Sequence, residues 1–128
     1  MQFGYTILYV DDMASTLDFY GKAFALPTRF LHESGTYGEL ETGATALAFV
    51  SRTMMREIGK TPRPPTLEAP TCEIALVTDD VPAAVRRAVD AGAKPVQAPK
   101  DMPWGQTIAY VGDNNGFLVE LCTPVNPG

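Results

Sequence analysis

The chain contains an internal repeat at a fixed spacing of 68 residues. The stretch from Tyr5 to Met13 reads YTILYVDDM, and the stretch from Glu73 to Val81 reads EIALVTDDV. Each is a run rich in β-forming residues that ends in two aspartates and an apolar residue. Self-similarity at a fixed period is the signature of a duplicated structural unit, and it constrains the fold more than any local propensity does. The sequence therefore predicts two copies of one module.

A helix signal follows each copy of the repeated run. In the first copy, apolar residues recur at spacings of four, three and four, as on one face of an α-helix: Met13, Leu17, Tyr20 and Phe24. Asp11 or Asp12 can cap this helix by accepting hydrogen bonds from its first backbone N–H groups. The second copy has a similar pattern from Val81 to Val89, with Pro82 in the first turn, where a proline is tolerated. Each module therefore begins with a strand and an amphipathic helix.

Three strand-like runs follow each helix. They span about 28–34, 36–42 and 44–51 in the first half and about 94–98, 105–111 and 116–123 in the second. Residues 112–116 form a tight turn, because glycine and asparagine tolerate positive φ. One helix on one short sheet cannot bury enough apolar surface alone, whereas two such modules can. We expect an α+β fold in which two βαβββ modules form a curved mixed sheet around a cup, with the helices on the outside.

The module boundaries follow from the positions of these elements. We expect the first module over 1–51, a linker over 52–71 and the second module over 72–128, all within one compact domain. The linker contains four prolines and several charges, and one short helical turn is expected in it at 53–58. A second irregular segment is expected at 98–104.

Composition disfavours several classes of function. The net charge is −5 and the ten Lys and Arg residues form no block, so nucleic acid is a poor candidate partner. No apolar run approaches the ~20 residues that span a bilayer, and no signal peptide is evident, so we expect a cytoplasmic protein without membrane contact. The single histidine, His32, is expected on the surface, and its being alone excludes any site that needs two imidazoles per chain.

The repeat and its closing segment resemble the vicinal oxygen chelate superfamily, which includes glyoxalase I, bleomycin-resistance proteins, fosfomycin-resistance enzymes and extradiol dioxygenases. The residues that carry the resemblance are LYVDD at 8–12, LDFY at 17–20, IAL at 74–76 and AYVGDNNGFLVEL at 109–121. The last run is similar to the family's Asp-x-x-Gly-aromatic-x-x-Glu ending. The resemblance covers essentially the whole chain. It implies the fold but not one activity, since the superfamily hosts many chemistries on one scaffold.

Family members that bind a metal take ligands from the first strand and the last strand of each module. The resemblance places the first-strand positions at Tyr5 and Glu73. It places the last-strand positions at Leu47 and Glu120, each four residues after a glycine. The usual ligands are two or three His and Glu side chains, so Tyr5 and Leu47 depart from the family. The remaining acids imply either no cofactor or a weakly bound Mn²⁺ or Mg²⁺, hard cations that prefer oxygen ligands.

Glu73 and Glu120 lie in strands that are otherwise apolar, where a carboxylate is unfavourable unless it is paired or neutralised. If the two converge, as the family pattern implies, one of them has a raised pKa. Such a pair can act as general acid and base, or hydrogen-bond an amine or hydroxyl of a ligand. The alternative is that each acid faces solvent or meets an arginine.

Candidate ligand contacts surround these acids. They are Tyr5, Ile7, Tyr9, Leu47, Phe49, Trp104, Gln106 and Cys122. Aromatic walls with a few polar groups are the usual composition of a small-molecule pocket. Trp104 has a second interpretation, as a hydrophobic plug in its Pro-Trp-Gly loop.

Two classes of function remain open. One is a glyoxalase/bleomycin-resistance-like protein that binds a small cationic or aromatic ligand in an acidic cup, without the usual His-based metal site. The other is a glyoxalase-like lyase or isomerase, with Glu73 and Glu120 as catalytic residues and as ligands of a divalent metal. The missing imidazoles favour the first. A third possibility is a dimeric module whose cup has no ligand, and the resemblance implies a homodimer, with or without exchange of modules.

Overall fold

A computed structural model describes residues 1–125, and the chain divides into two compact units, Met1–Pro64 and Pro65–Gly128. The division falls within the predicted linker. The first unit contains β1 (Tyr5–Val10), α1 (Met13–Phe24), β2 (Thr28–Leu31), β3 (Tyr37–Leu40), β4 (Ala46–Ser51) and α2 (Arg52–Glu57). The second contains β5 (Ile74–Val77), α3 (Val81–Asp90), β6 (Lys94–Asp101), β7 (Thr107–Gly112) and β8 (Leu118–Cys122). Within residues 1–125, no helix has both the length and the apolar character that crossing a membrane requires.

The 68-residue repeat of the sequence is also the repeat of the fold. The first sheet has the strand order β1-β4-β3-β2, and the second has the order β5-β8-β7-β6. In each sheet the first strand runs parallel to the last, and the other pairs are antiparallel. The helix after the first strand begins at Met13 in one unit and at Val81 in the other. The prediction of an α+β fold with two βαβββ modules is confirmed.

The repeated aspartates start both helices. Asp12 Oδ1 accepts the backbone N–H of Ser15 at 3.3 Å, and Asp80 caps α3 in the same way at 3.0 Å. These bonds satisfy N–H groups that have no partner within the helix. The apolar face of α1 then packs on the first sheet, where the ring centroids of Tyr20 and Phe49 are 5.0 Å apart. Both rings are fully buried, so this contact lies at the centre of the first unit's core.

The segment 98–104 differs from its prediction, because β6 continues to Asp101 and only the following residues form a turn. Pro95 and Pro99 both lie inside this strand. They are tolerated because β6 is the edge strand of its sheet, where a residue without an N–H need not break a ladder. The pairing with β7 shifts register between Pro95 and Gln97 and again between Gln97 and Lys100. The prediction of an irregular segment is therefore wrong over 98–101.

The linker contains the short helix that the sequence predicted, observed as α2. Ser51 caps it, because its Oγ accepts the backbone N–H of Met54 at 3.1 Å. Arg52 Nη1 donates to the carbonyl oxygen of Tyr9 at 3.1 Å. Together these bonds attach α2 to the end of the first sheet.

Candidate functional site

The second sheet has one covered face and one open face. α3 packs against β6, β7 and β8 on the covered face, where Val111, Val119 and Leu121 are buried. Strand side chains alternate between faces, so the residues between these positions project to the other side. We call that side the open face of the second sheet. Its residues include Glu73, Ala75, Ile108, Tyr110, Glu120 and Cys122.

Glu73 and Glu120 meet on this face. Ala75 pairs with Glu120 in the parallel ladder, and Glu73 precedes Ala75 by two residues on the same side. The hydrogen bond that protonated Glu73 donates to Glu120 raises the pKa of Glu73 above its ordinary value, and burial and the charge of Glu120 act in the same direction. The two acids therefore contact each other and do not face solvent separately.

Tyr110 lies beside both acids. It pairs with Glu120 across the β7–β8 ladder, and its hydroxyl donates to Glu120 Oε2 at 3.2 Å. Burial and the neighbouring acids raise the pKa of Tyr110 to about 12, so the phenol is neutral at neutral pH. The sequence interpretation missed Tyr110. Counting outward from the glycine turn at 112–116 would have placed it opposite Glu120.

Cys122 shares the open face with these groups. Burial, followed by a hydrogen bond with Glu120, raises the pKa of its thiol. The Sγ atom also lies 3.7 Å from the carbonyl oxygen of Leu76. Cys122 is therefore a protonated, buried thiol in the floor of this face and not an activated nucleophile.

Within residues 1–125, the ion pairs of Lys and Arg involve neither Glu73 nor Glu120. Arg29 pairs with Glu39 and Glu41, and Arg52 pairs with Asp11. All of these groups belong to the first unit. The sequence left open that Glu73 or Glu120 meets an arginine, and neither acid has an arginine partner among the ion pairs of residues 1–125.

Trp104 and Gln106 lie just before β7. The indole N–H of Trp104 donates to Gln106 Oε1 at 2.7 Å, and Gln106 Nε2 donates to the carbonyl oxygen of Thr123 at 2.9 Å. Trp104 is 56% exposed. A hydrophobic plug would be buried, so the structure of this unit does not support that interpretation of Trp104.

Tyr5, Ile7 and Tyr9 share one face of β1, as strand alternation predicts. They are exposed to 57%, 44% and 37%, whereas Leu8 and Val10, which point to the other face, are buried. We call the side of Tyr5, Ile7 and Tyr9 the open face of the first sheet.

Leu47 and Phe49 lie on the opposite side from Tyr5. Leu47 pairs with Thr6 in the parallel ladder, and Phe49 packs on Tyr20 of α1. Both side chains are buried on the covered face of the first sheet. The expectation that Leu47 and Phe49 project to the same side as Tyr5 is wrong. Their assignment as ligand contacts stays a prediction, and their position on the covered face does not support it.

This error arises because the spacing from the preceding glycine to the open-face position of the last strand is one residue longer in the first unit than in the second. Ile7 corresponds to Ala75 at the 68-residue offset, and Ile7 pairs with Ala48 whereas Ala75 pairs with Glu120. The position in the first unit that corresponds to Glu120 is therefore Ala48 and not Leu47. Equal spacing from the preceding glycine misled the sequence interpretation, because a one-residue slip moves a strand side chain to the other face.

The open face of the first sheet also holds an acid that the sequence interpretation missed. Glu39 pairs with Ala48, and its Oε1 accepts hydrogen bonds from Arg29 Nε at 3.1 Å and Nη2 at 2.9 Å. Its Oε2 accepts the hydroxyl of Tyr37 at 2.5 Å. The bond from Tyr37 and, next, the bonds from Arg29 lower the pKa of Glu39. A glutamate in the interior of the strand YGEL was the available signal for this cluster.

The donor atoms on the open face of the second sheet differ from those of the family's His-and-Glu metal centre. Glu73 and Glu120 supply carboxylate oxygens, but Tyr110 and Cys122 keep their protons, and Ala48 replaces the corresponding acid in the first unit. His32 is exposed in a turn of the first unit, with Nδ1 2.7 Å from Ser34 Oγ. In the described part of the chain, no three His, Cys, Asp or Glu side chains form a group that could hold a metal ion. The residues present do not fit the family's metal centre.

Comparison with known proteins agrees with the family resemblance seen in the sequence. A family model described as Glyoxalase/Bleomycin resistance protein/Dioxygenase superfamily matches residues 2–121. The uncharacterized protein Mb0911c of Mycobacterium bovis is 33% identical over 123 residues, which cover 92% of this chain and 80% of that protein.

Solved structures show the same fold. A glyoxalase-related enzyme from Fulvimarina pelagi superposes with a TM-score of 0.82 at 19% identity, covering 97% of this chain and 88% of that one. A glyoxalase/bleomycin resistance protein/dioxygenase family enzyme from Burkholderia phytofirmans gives a TM-score of 0.79 at 18% identity, covering 98% of this chain and 100% of that one.

Proposed function

Because this chain belongs to the glyoxalase/bleomycin resistance protein/dioxygenase superfamily, we propose that it binds a small cationic ligand, aromatic in part, without a His-based metal centre. The binding group is the carboxyl pair Glu73–Glu120 on the open face of the second sheet. One observation carries the proposal. The two acids contact each other and Tyr110, while the ion pairs described in residues 1–125 leave both without a positive partner.

The carboxyl pair has no positively charged partner among the ion pairs of residues 1–125. Each of two carboxyl groups in contact opposes the ionisation of the other, and this contact raises the pKa of Glu73 above its ordinary value. An ammonium or guanidinium group of a ligand would supply the missing positive charge. It would also form charge-assisted hydrogen bonds with the two carboxyl groups. The net charge of −5 attracts cations to the chain as a whole. The pair therefore favours a cation over a neutral or anionic ligand of the same shape.

An enzymatic function is the second candidate. Its support is also the raised pKa of Glu73, because a carboxyl group that keeps its proton closer to neutral pH can serve as a general acid or base. In this version the chain is a glyoxalase-like lyase or isomerase, with Glu73 and Glu120 as catalytic residues. A weakly held Mn²⁺ or Mg²⁺ between the two acids belongs to this candidate.

Benzylammonium and its neutral analogue benzyl alcohol test the binding proposal. We expect benzylammonium to raise the melting temperature of the protein with the logarithm of its concentration above Kd, by mass action, and benzyl alcohol to have no such effect. The variants Glu73→Gln and Glu120→Gln keep the shape of the site and remove its charge. We expect either change to weaken benzylammonium binding by about tenfold, the loss of one charged hydrogen bond.

Glu57→Gln is the matched control, because Glu57 is an exposed acid at the end of α2 in the first unit. It removes the same charge from the chain and should leave benzylammonium affinity unchanged. An equal loss of benzylammonium affinity in all three variants would mean that only the net charge of the chain matters, and this would contradict the proposal. Stabilisation by Mn²⁺ or Mg²⁺ that exceeds that by benzylammonium, and that EDTA reverses, would favour the enzymatic candidate instead.

The homodimer implied by the family resemblance and the cytoplasmic location expected from the composition belong to the same proposal. Light scattering after size-exclusion chromatography measures the mass directly. We expect twice the mass of the 13.8 kDa chain.

A further inference from the structure

Trp104 is a large aromatic side chain that is both exposed and held in place. Its indole N–H donates to Gln106 Oε1, and Gln106 is itself bonded to the carbonyl oxygen of Thr123 at the end of β8. The turn around it is closed by Met102 N–H donating to the carbonyl oxygen of Gln106 at 2.7 Å. Gly105 completes that turn with a φ of +95°. A fixed indole that is 56% exposed is typical of a binding contact, since little side-chain entropy is lost when a ligand covers it.

Trp104 lies at one end of the open face of the second sheet. Gln106 precedes Ile108 and Tyr110 at steps of two residues, so alternation places it on their side of the sheet. The four residues from Gln106 to Tyr110 span about 13 Å of strand. The backbone positions of Gln106 and Tyr110 are therefore about 13 Å apart along the face, with the indole at the Gln106 end and the acids at the Tyr110 end.

The opposite end of the same face is closed. Gly112 follows Tyr110 by two residues, and a Cβ atom at Gly112 would collide with Cδ1 of Leu67. Near the next turn, a Cβ atom at Gly116 would lie 3.2 Å from the carbonyl oxygen of Pro65. Leu67 thus covers the face at Gly112, so a molecule that extends along the strands from the acids runs towards Trp104, over the floor formed by Ile108 and Cys122.

We propose that Trp104 is the aromatic platform of an elongated binding site, whose ligand carries a cationic group at Glu73–Glu120 and a planar apolar group on the indole, roughly 13 Å away. This inference rests on the proposed function, since it takes the carboxyl pair as the cation site. It adds the ligand class, an elongated aromatic cation. It also assigns Trp104 as the residue that selects for length.

Trp104 is the single tryptophan of the chain, so intrinsic fluorescence reports on this residue alone. The probes are benzylammonium, which is short, and ω-phenyloctylammonium, whose phenyl group can reach the indole from the acids. Octylammonium has the same chain without the ring. We expect ω-phenyloctylammonium to change Trp104 emission at saturation and to bind about tenfold more tightly than octylammonium, as an aromatic pair and its buried area allow. Benzylammonium should bind without changing the emission.

Trp104→Leu removes the platform, and calorimetry measures affinity in its absence. The variant is expected to lose the preference for ω-phenyloctylammonium over octylammonium while benzylammonium affinity is unchanged. Phe30→Leu, a change of an exposed aromatic residue in the first unit, is the matched control and should keep the preference. Thermal unfolding of each variant checks that the fold is intact.

The outcomes separate the two proposals. One outcome is that the probes bind wild type and lose affinity in Glu120→Gln, while Trp104 emission does not respond and Trp104→Leu keeps the preference for ω-phenyloctylammonium over octylammonium. In that case the platform is wrong and the cation site stands. If neither benzylammonium nor ω-phenyloctylammonium binds wild type, both proposals are wrong. If ω-phenyloctylammonium binds with the expected emission change and Glu120→Gln has no effect, Trp104 is a platform but the cation site is wrong.

Discussion

The open faces of the two sheets each carry an acid beside a tyrosine, but they neutralise the acid in different ways. On the first sheet, Glu39 accepts hydrogen bonds from Tyr37 and Arg29, and its pKa lies below the ordinary value. On the second sheet, Glu73 contacts another acid, and its pKa lies above that value. The first face is electrostatically complete within its own unit. On the second face, neither Glu73 nor Glu120 has a positively charged partner among residues 1–125, and under our proposal a ligand supplies that charge.

The largest effect should come from the residue whose face the sequence interpretation assigned wrongly. Phe49→Ala removes a fully buried ring from the core beneath α1, and we expect it to lower the free energy of unfolding by about 3–5 kcal/mol. Urea denaturation measures this. Tyr9→Ala is the control on the open face of the same sheet, where the side chain is 37% exposed and the loss should be clearly smaller. Equal losses would contradict the assignment of the two faces.

The same substitution in the two acidic clusters should have different effects. Glu39→Gln weakens charge-assisted hydrogen bonds to Tyr37 and Arg29, and we expect it to destabilise the protein by about 1–2 kcal/mol at neutral pH. Glu73→Gln removes a repulsion, so unfolding free energy should stay the same or rise by up to about 1 kcal/mol. A loss at Glu73 as large as that at Glu39 would show that the second face is also internally compensated.

The two acids should also respond to pH in opposite directions. The ordinary pKa of both is 4.5. The folded state lowers the pKa of Glu39, so its stabilising contribution is present above the ordinary value and is lost as pH falls through the folded value. The folded state raises the pKa of Glu73, so its contribution is present below the ordinary value and is lost as pH rises through the folded value. Unfolding free energies of wild type, Glu39→Gln and Glu73→Gln between pH 3 and pH 8 check both slopes, and parallel slopes would contradict the comparison.

A smaller change is expected from Tyr110→Phe. It removes the hydroxyl that donates to Glu120 Oε2, a bond worth about 1 kcal/mol. The Tyr110 hydroxyl also holds down the pKa of Glu73, so that pKa should rise further in the variant. Carboxyl titration followed by NMR measures the shift, and a fall in the pKa of Glu73 would contradict the contact.

The sequence predicted the fold well, because the repeat, the apolar periodicity and the capping aspartates are all local signals. Asp12 and Asp80 start their helices at the same place in both copies. The side-chain positions were harder to predict, because they depend on strand register. A single additional residue between Gly43 and the open-face position Ala48 moved Leu47 into the core.

The contacts of the acids were not predictable by the same route. Glu39 meets Arg29 across an antiparallel pair that contains a register shift between Thr28 and Phe30. No spacing along the chain encodes such a contact. Glu73 and Glu120 converge because the first and last strands of the unit pair in parallel. This pairing was predicted from the family resemblance and not from local sequence signals.

The most direct test of the account is the titration of Glu73 and Glu39 by ¹³C NMR of their side-chain carboxyl groups, with and without benzylammonium. The account predicts a pKa for Glu73 above 4.5 in the free protein, which falls when benzylammonium is bound because a cation favours the ionised pair. It predicts a pKa for Glu39 below 4.5 that benzylammonium does not change. A Glu73 that titrates at or below 4.5, or that is indifferent to saturating benzylammonium, would contradict the claim that the second face holds an acid pair in need of a cation.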